Sequence, residues 1–136
     1  MARRPSDKWQ RQVEEQAAKL AQGSLSPGGA YASQLWPESL RVRTDKALAT
    51  FEDGLQALVS PSDEDILGVV KRLVLALNTI NQQHVHTGQV GYETDEREQL
   101  CDYIDASLSE AGVDLEALAA RQGIGRWEVT DQWREW

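Results

Sequence analysis

Cys101 is the only cysteine among 136 residues. No internal disulfide can therefore form, and the fold has to rest on a buried apolar core, which a chain of this length can supply. No N-terminal apolar segment resembles a signal peptide: Met1-Ala2-Arg3-Arg4-Pro5 leads straight into polar sequence, so a cytoplasmic protein is expected. No apolar run reaches the ~20 residues that a bilayer crossing needs. Positive charge is also scarce, with 14 basic against 22 acidic side chains and a net charge of −8. That balance opposes binding to nucleic acid or to an anionic membrane, since both recruit proteins through Lys and Arg. GxSxG, Walker A, GxGxxG and HExxH motifs are missing, as are internal repeats, heptad series and low-complexity tracts. No cofactor is expected.

What is present is helical punctuation. The stretch DEDILGVVKRLVLALNTINQQH, from Asp63 to His84, is the longest apolar run. At about 100° per residue, Ile66, Val69, Val70, Leu73, Val74, Leu77 and Ile80 share one face. Leu67, Leu75 and Ala76 widen that face, leaving little polar surface beyond Lys71, Arg72, Thr79 and Gln82. A helix apolar over most of its girth is normally surrounded by others. Ser62 is its expected N-cap, Asp63, Glu64 and Asp65 suit the positive end of its dipole, and Pro61 ends the element before it.

The remaining helices follow from similar signals. Ser6 is expected to cap a first helix reaching Gln22, with Trp9, Val13, Ala17, Leu20 and Ala21 as its stripe. Residues 23–43 read as an irregular segment around the Pro27-Gly28-Gly29 turn, tied down by Tyr31 and Trp36. One short helix is expected between Tyr31 and Arg41, and a lid is the functional alternative. Thr44 is expected to cap a helix to Val59 lined by Ala47, Leu48, Phe51, Leu55 and Leu58, with Gly54 allowing close helix approach. The short Ser60-Pro61-Ser62 link makes it an antiparallel neighbour of the central helix. A fourth helix, capped by Thr94 or Asp95, runs to Ala111 with Leu100, Cys101, Ile104 and Leu108 inward, closed by Gly112 and Val113. Asp114 caps a short fifth helix, and Arg126 to Trp136 is read as a last one.

The expected fold is thus all-α: a single domain, 1–136, of five or six helices around the buried rod at 63–84, with the second and fourth helices as its direct neighbours.

Three constellations bear on function. The core-facing side of the central helix turns polar at Asn78, Asn81 and His84. Such groups are costly to bury unless paired. They either satisfy the following loop or form a polar site with Glu93, Asp95 and Arg97. His84-Val85-His86 is the only histidine pair. In extended structure alternate side chains share a face, so the two are metal-ligand candidates with a nearby carboxylate, although zinc normally takes three or four ligands. Cys101, on an apolar stripe, reads as a small buried hydrophobe.

The third constellation is terminal. The sequence LEALAARQGIGRWEVTDQWR, Leu115 to Arg134, resembles a helix-turn-helix, with Ala119 at the small position, Gly123 in the turn and Val129 inward. Gln132 stands where another apolar residue is expected. The second helix would carry Glu128, Asp131 and Glu135, unsuited to phosphate. Trp133 and Trp136 either close the core or form an aromatic binding patch. The function these features favour is non-catalytic binding of another protein, one form being an inhibitor or immunity-type protein for a basic partner. A DNA-binding regulator using the C-terminal pair and a metal protein using His84 and His86 are the alternatives.

Overall fold

The computed structural model describes residues 2–23 and 36–136. The described residues are helical, without strands: α1 (Pro5–Ala21), α2 (Glu38–Gln56), α3 (Asp63–His86), α4 (Thr94–Glu110), α5 (Leu115–Arg121) and a 3-10 turn at Arg126–Glu128. The all-α bundle expected from the periodicity is present. The Pro27 turn, Tyr31 and the start of the short helix expected there lie outside the described residues, and so does most of the segment read as a lid.

α3 is built as its sequence implies. Ser62 Oγ accepts from the Asp65 backbone N–H at 3.1 Å, and an Asp65 carboxylate oxygen accepts from the Ser62 N–H at 3.1 Å. This reciprocal box satisfies two of the helix's orphan donors. Val70, Val74 and Leu77 are fully enclosed. α2 lies closest to α3. An added Cβ on Gly54 would stand 3.3 Å from a Val69 methyl, so the absent side chain lets the two helices meet. α4 comes less close to α3 than expected. Its nearest helical partners are α1 and α5, and bulky side chains link it to the shared core, as in the edge-on Phe51–Tyr103 pair at 6.1 Å.

Three caps read from local pattern are not caps, one of them at α4, where Glu93 rather than Thr94 or Asp95 is the N-cap residue and makes no side-chain capping bond. α1 starts at Pro5 with Arg4 as its N-cap, and Ser6, inside the first turn, donates to Asp45 at 2.8 Å. α2 starts at Glu38, directly after Pro37, so 38–43 is helical rather than irregular. Proline presets the helical entry. Thr44 therefore falls mid-helix, fully buried, its hydroxyl 2.7 Å from Tyr92 Oη.

α4 closes as expected: the Val113 N–H donates to Leu108 O at 3.0 Å and Gly112 to Ser109 O at 3.1 Å, a Schellman ending. The helix expected from Arg126 to Trp136 does not form. Only the three-residue 3-10 turn appears, followed by further turns. The second member of the helix-turn-helix is thus missing. Its backbone is drawn elsewhere: Trp133 O and the Glu135 N–H both bond to the Asn78 side chain at 2.8 Å. The local sequence favours this, because Val129, Thr130 and Asp131 are poor helix formers.

Buried tryptophans join the N-terminal part to α4. Trp9 and Trp36 stack at 6.1 Å with planes 8° apart. Their indole N–H groups donate to Gln99 at 2.7 Å and to Glu96 at 2.8 Å.

Candidate functional site

The polar end of α3 is the first candidate, and each of its groups holds a different segment. Asn78 uses both ends of its amide on the C-terminal backbone, as above. Asn81 Oδ1 accepts from the Tyr92 N–H at 2.8 Å. The chain at Gly91 presses against that amide, since a Cβ there would sit 2.3 Å from Asn81 Oδ1. His84, 3% exposed, has Nδ1 2.8 Å from Ile80 O and Nε2 2.8 Å from Ser39 Oγ. A carbonyl only accepts, so Nδ1 carries the proton in this contact. These three side chains pin the tail, the α3–α4 connection and the start of α2.

They do not converge with the other sequence candidates. Glu93 is the exposed N-cap residue of α4, on a hollow with Lys8, Gln12 and Trp36. Asp95 lines the same hollow. Arg97 lines another with Glu98, Asp102 and Arg134. Trp133 is half-buried against the core, while Trp136 is buried and meets Tyr92 edge-on at 5.8 Å. The Arg134 guanidinium lies 5.2 Å from the centre of the Trp136 ring.

The shared face assumed for the histidines is absent. His84 and His86 both belong to α3, where positions two apart diverge by about 200°. His84 is buried and His86 exposed. Among the described residues no three His, Cys, Asp or Glu side chains are grouped to hold a metal. Cys101 is half-buried. Burial pushes its thiol up from the ordinary value, against the opposing pull of Arg134, so the nucleophilic thiolate is disfavoured.

A second cluster escaped the sequence. Glu52, 8% exposed, receives the Arg4 guanidinium (Nε at 2.5 Å) and the Tyr103 hydroxyl (2.6 Å) on one carboxylate oxygen. Arg4 also forks onto Asp45 at 3.2 Å. Burial alone would raise the Glu52 pKa. The hydrogen bonds from Arg4 and Tyr103 outweigh it and hold the carboxyl below its usual range. The Tyr103 phenol is pushed well up, first by burial and then by donating to a carboxylate. Ser107 stands near that phenol without hydrogen-bond geometry, and its buried hydroxyl has no partner. Arg4 and Glu52 are 48 positions apart. Nothing local announces such a pair; the one hint is that Glu52 adjoins Phe51 on the inward stripe.

The third feature is the distribution of charge. Residues 1–86 carry ten acidic and ten basic side chains, whereas residues 87–136 carry twelve acidic and four basic ones, so the last fifty residues hold the whole net charge of −8. Three of those four arginines are engaged: Arg121 with Asp63, Arg126 with Asp105 and Arg134 with Asp131, at 2.7–3.0 Å. Within this region Trp127 is 71% exposed, the one fully exposed tryptophan of the five, with the Arg126 guanidinium 5.5 Å from its ring centre. Sequence reasoning placed the aromatic patch at Trp133 and Trp136; the exposed ring is its neighbour. No helix among the described residues is long and apolar enough to cross a membrane. No family model, curated protein or solved structure matches the chain.

Proposed function

We propose that the protein is a non-catalytic binding module whose acidic C-terminal region docks a basic surface of another protein, with Trp127 as the anchor. The observation that carries this is one large indole exposed within the fifty residues that hold all the net charge. Tryptophan is enriched among residues that dominate binding energy, and complementary charge speeds encounter and selects partners. An inhibitor or immunity-type protein acting on a basic toxin or enzyme is the concrete form. The polar groups of the α3 end fit this reading, because Asn78 and Asn81 are committed to backbone of other segments and His84 to Ser39.

The test is capture of a partner on immobilised protein, compared with the Trp127→Ala variant. The reading requires one dominant basic protein, bound by the wild type, released as salt rises and lost from the variant. Equal retention by both proteins, or binding indifferent to salt, would sink it. Retention on heparin would support the nucleic-acid alternative instead.

A further inference from the structure

Ser39 lies in the first turn of α2 and is exposed, whereas His84, near the C-terminal end of α3, is 3% exposed. The serine Oγ stands 2.8 Å from Nε2 of the ring, and Nδ1 stands 2.8 Å from Ile80 O. Both ring nitrogens are engaged, so the imidazole is held in one orientation. The carbonyl also selects the tautomer: with the proton on Nδ1, the neutral form of the ring presents the Nε2 lone pair to the hydroxyl. A reachable hydroxyl on a base that a third group orients is the arrangement that activates a serine. The start of α2 adds a field. The amides of Glu38, Ser39 and Leu40 have no acceptor within the helix, and Pro37 at the N-cap makes no side-chain bond to them. A helix start carries roughly half an elementary positive charge, which favours an oxyanion developing on a group attached to Ser39. The Glu38 carboxylate, exposed next to Ser39, disfavours an anionic reagent.

We propose that Ser39 is an acylation site, with His84 as its general base, and that it takes one acyl group from an uncharged thioester or activated ester. Ser39 Oγ attacks the carbonyl carbon while its proton passes to Nε2. The oxyanion of the tetrahedral adduct forms at the start of α2. As the adduct collapses, the bond from carbon to sulfur, or to the ester oxygen, breaks, and Nε2 gives the proton to the departing thiolate or alkoxide. The products are an O-acyl serine and a free thiol or alcohol, and the neutral imidazole is restored. Removal of the acyl group by water is slower, because it must expel a serine alkoxide, a poorer leaving group than a thiolate or a nitrophenolate. Acylated protein therefore accumulates, the origin of a burst. This site goes beyond the docking of a basic partner and does not depend on it.

The probe is p-nitrophenyl acetate, with nitrophenolate release followed by absorbance and the acetylated residue located by mass spectrometry. The proposal requires a burst of about one equivalent per chain. Ser39 should be acetylated about a hundredfold faster than the exposed Ser60, the lower end of what general-base assistance supplies. The burst should vanish in Ser39→Ala, a change at an exposed position. Ser39→Cys separates an activating imidazole from a purely structural one. A neighbouring imidazole lowers the pKa of a thiol, so at mildly acid pH this variant should react with iodoacetamide about tenfold faster than the exposed control Ser60→Cys. Ser39 acetylated no faster than Ser60, a burst that survives Ser39→Ala, or equal alkylation of the two variants overturns the proposal. Turnover that continues past the first equivalent in the wild type and is lost in Ser39→Ala overturns the single acylation in favour of a hydrolase. Trp127 plays no part in these measurements, so their failure leaves the docking test intact, and the reverse holds.

Discussion

Among the described residues, the first 86 carry helices of 17, 19 and 24 residues, whereas the last fifty carry one of 17, one of 7 and a three-residue 3-10 turn. Both regions bury side chains in one apolar core, to which the second gives Leu100, Ile104, Leu108, Leu118 and Trp136. The second is tied to the first in another way as well, by polar side chains of α3: Asp63 to Arg121, Asn78 to the backbone of Trp133 and Glu135, Asn81 to Tyr92, and Gln82 to Glu135. The same helix is thus an oily rod towards α2 and a hydrogen-bonding rail towards the tail. The acidic region needs such a rail because its own net charge of −8 works against compaction.

Breaking the rod should have an effect matched only by loss of a buried aromatic. Leu73 is 3% exposed in the core, and Leu73→Ala should cost about 2–5 kcal/mol in denaturant unfolding, the range for truncations in well-packed interiors. Both regions should melt together. A change within experimental error would mean that α3 is not the shared support.

The Glu52 cluster belongs to the first region but depends on charge, and it sharpens the comparison through pH. A carboxylate whose folded pKa is depressed stabilises the fold above its unfolded pKa, and the contribution is lost as pH falls through the folded value. Glu52 is held low by Arg4 and Tyr103 against the penalty of burial. Glu52→Gln should therefore cost about 1–3 kcal/mol at neutral pH, the scale of losing hydrogen bonds to a buried charged group. The gap between variant and wild type should shrink on acidification below the usual carboxylate range. A gap constant down to strongly acid pH would contradict the assigned direction.

The rail is broken more gently. Asn78→Ala removes two hydrogen bonds to the tail and should cost about 1–2 kcal/mol. The loss should be local: faster hydrogen exchange at the Glu135 amide, with the α2–α3 amides unchanged. Uniform acceleration through the bundle would mean that Asn78 supports the core itself.

This division also explains what the chain reveals before it is folded. α3 is legible because its cap, first-turn charges and apolar face all lie within one stretch and agree, the condition under which local pattern and fold coincide. The Gly54 approach and the Schellman ending of α4 are legible for the same reason. Thr44 has the local look of a cap, yet Pro37 starts the helix earlier and burial claims the hydroxyl for Tyr92. The tail has the spacing of a helix, but the Asn78 amide that draws its backbone away lies 55 positions upstream. Arg4 and Glu52 fail in the same manner. What sequence withholds here is long-range polar pairing, the kind of contact that adds to the core in tying down the acidic region.

The smallest effect on stability should come from the residue with the largest expected effect on binding. Trp127 is 71% exposed, and its described ring contact is with Arg126. Exposed cation–π pairs are worth about 0.5–1 kcal/mol, so Trp127→Ala should unfold within roughly that of wild type. Trp136, nine positions on and 7% exposed, provides the control: Trp136→Ala should cost about 3–5 kcal/mol as a buried aromatic. At the interface the order should reverse. Loss of a tryptophan anchor costs about 2 kcal/mol or more, roughly thirtyfold in affinity, and Trp127→Ala should show it at unchanged stability. A variant as unstable as Trp136→Ala would make Trp127 a structural residue, and a stable variant with undiminished partner affinity would remove the anchor from the proposed docking face.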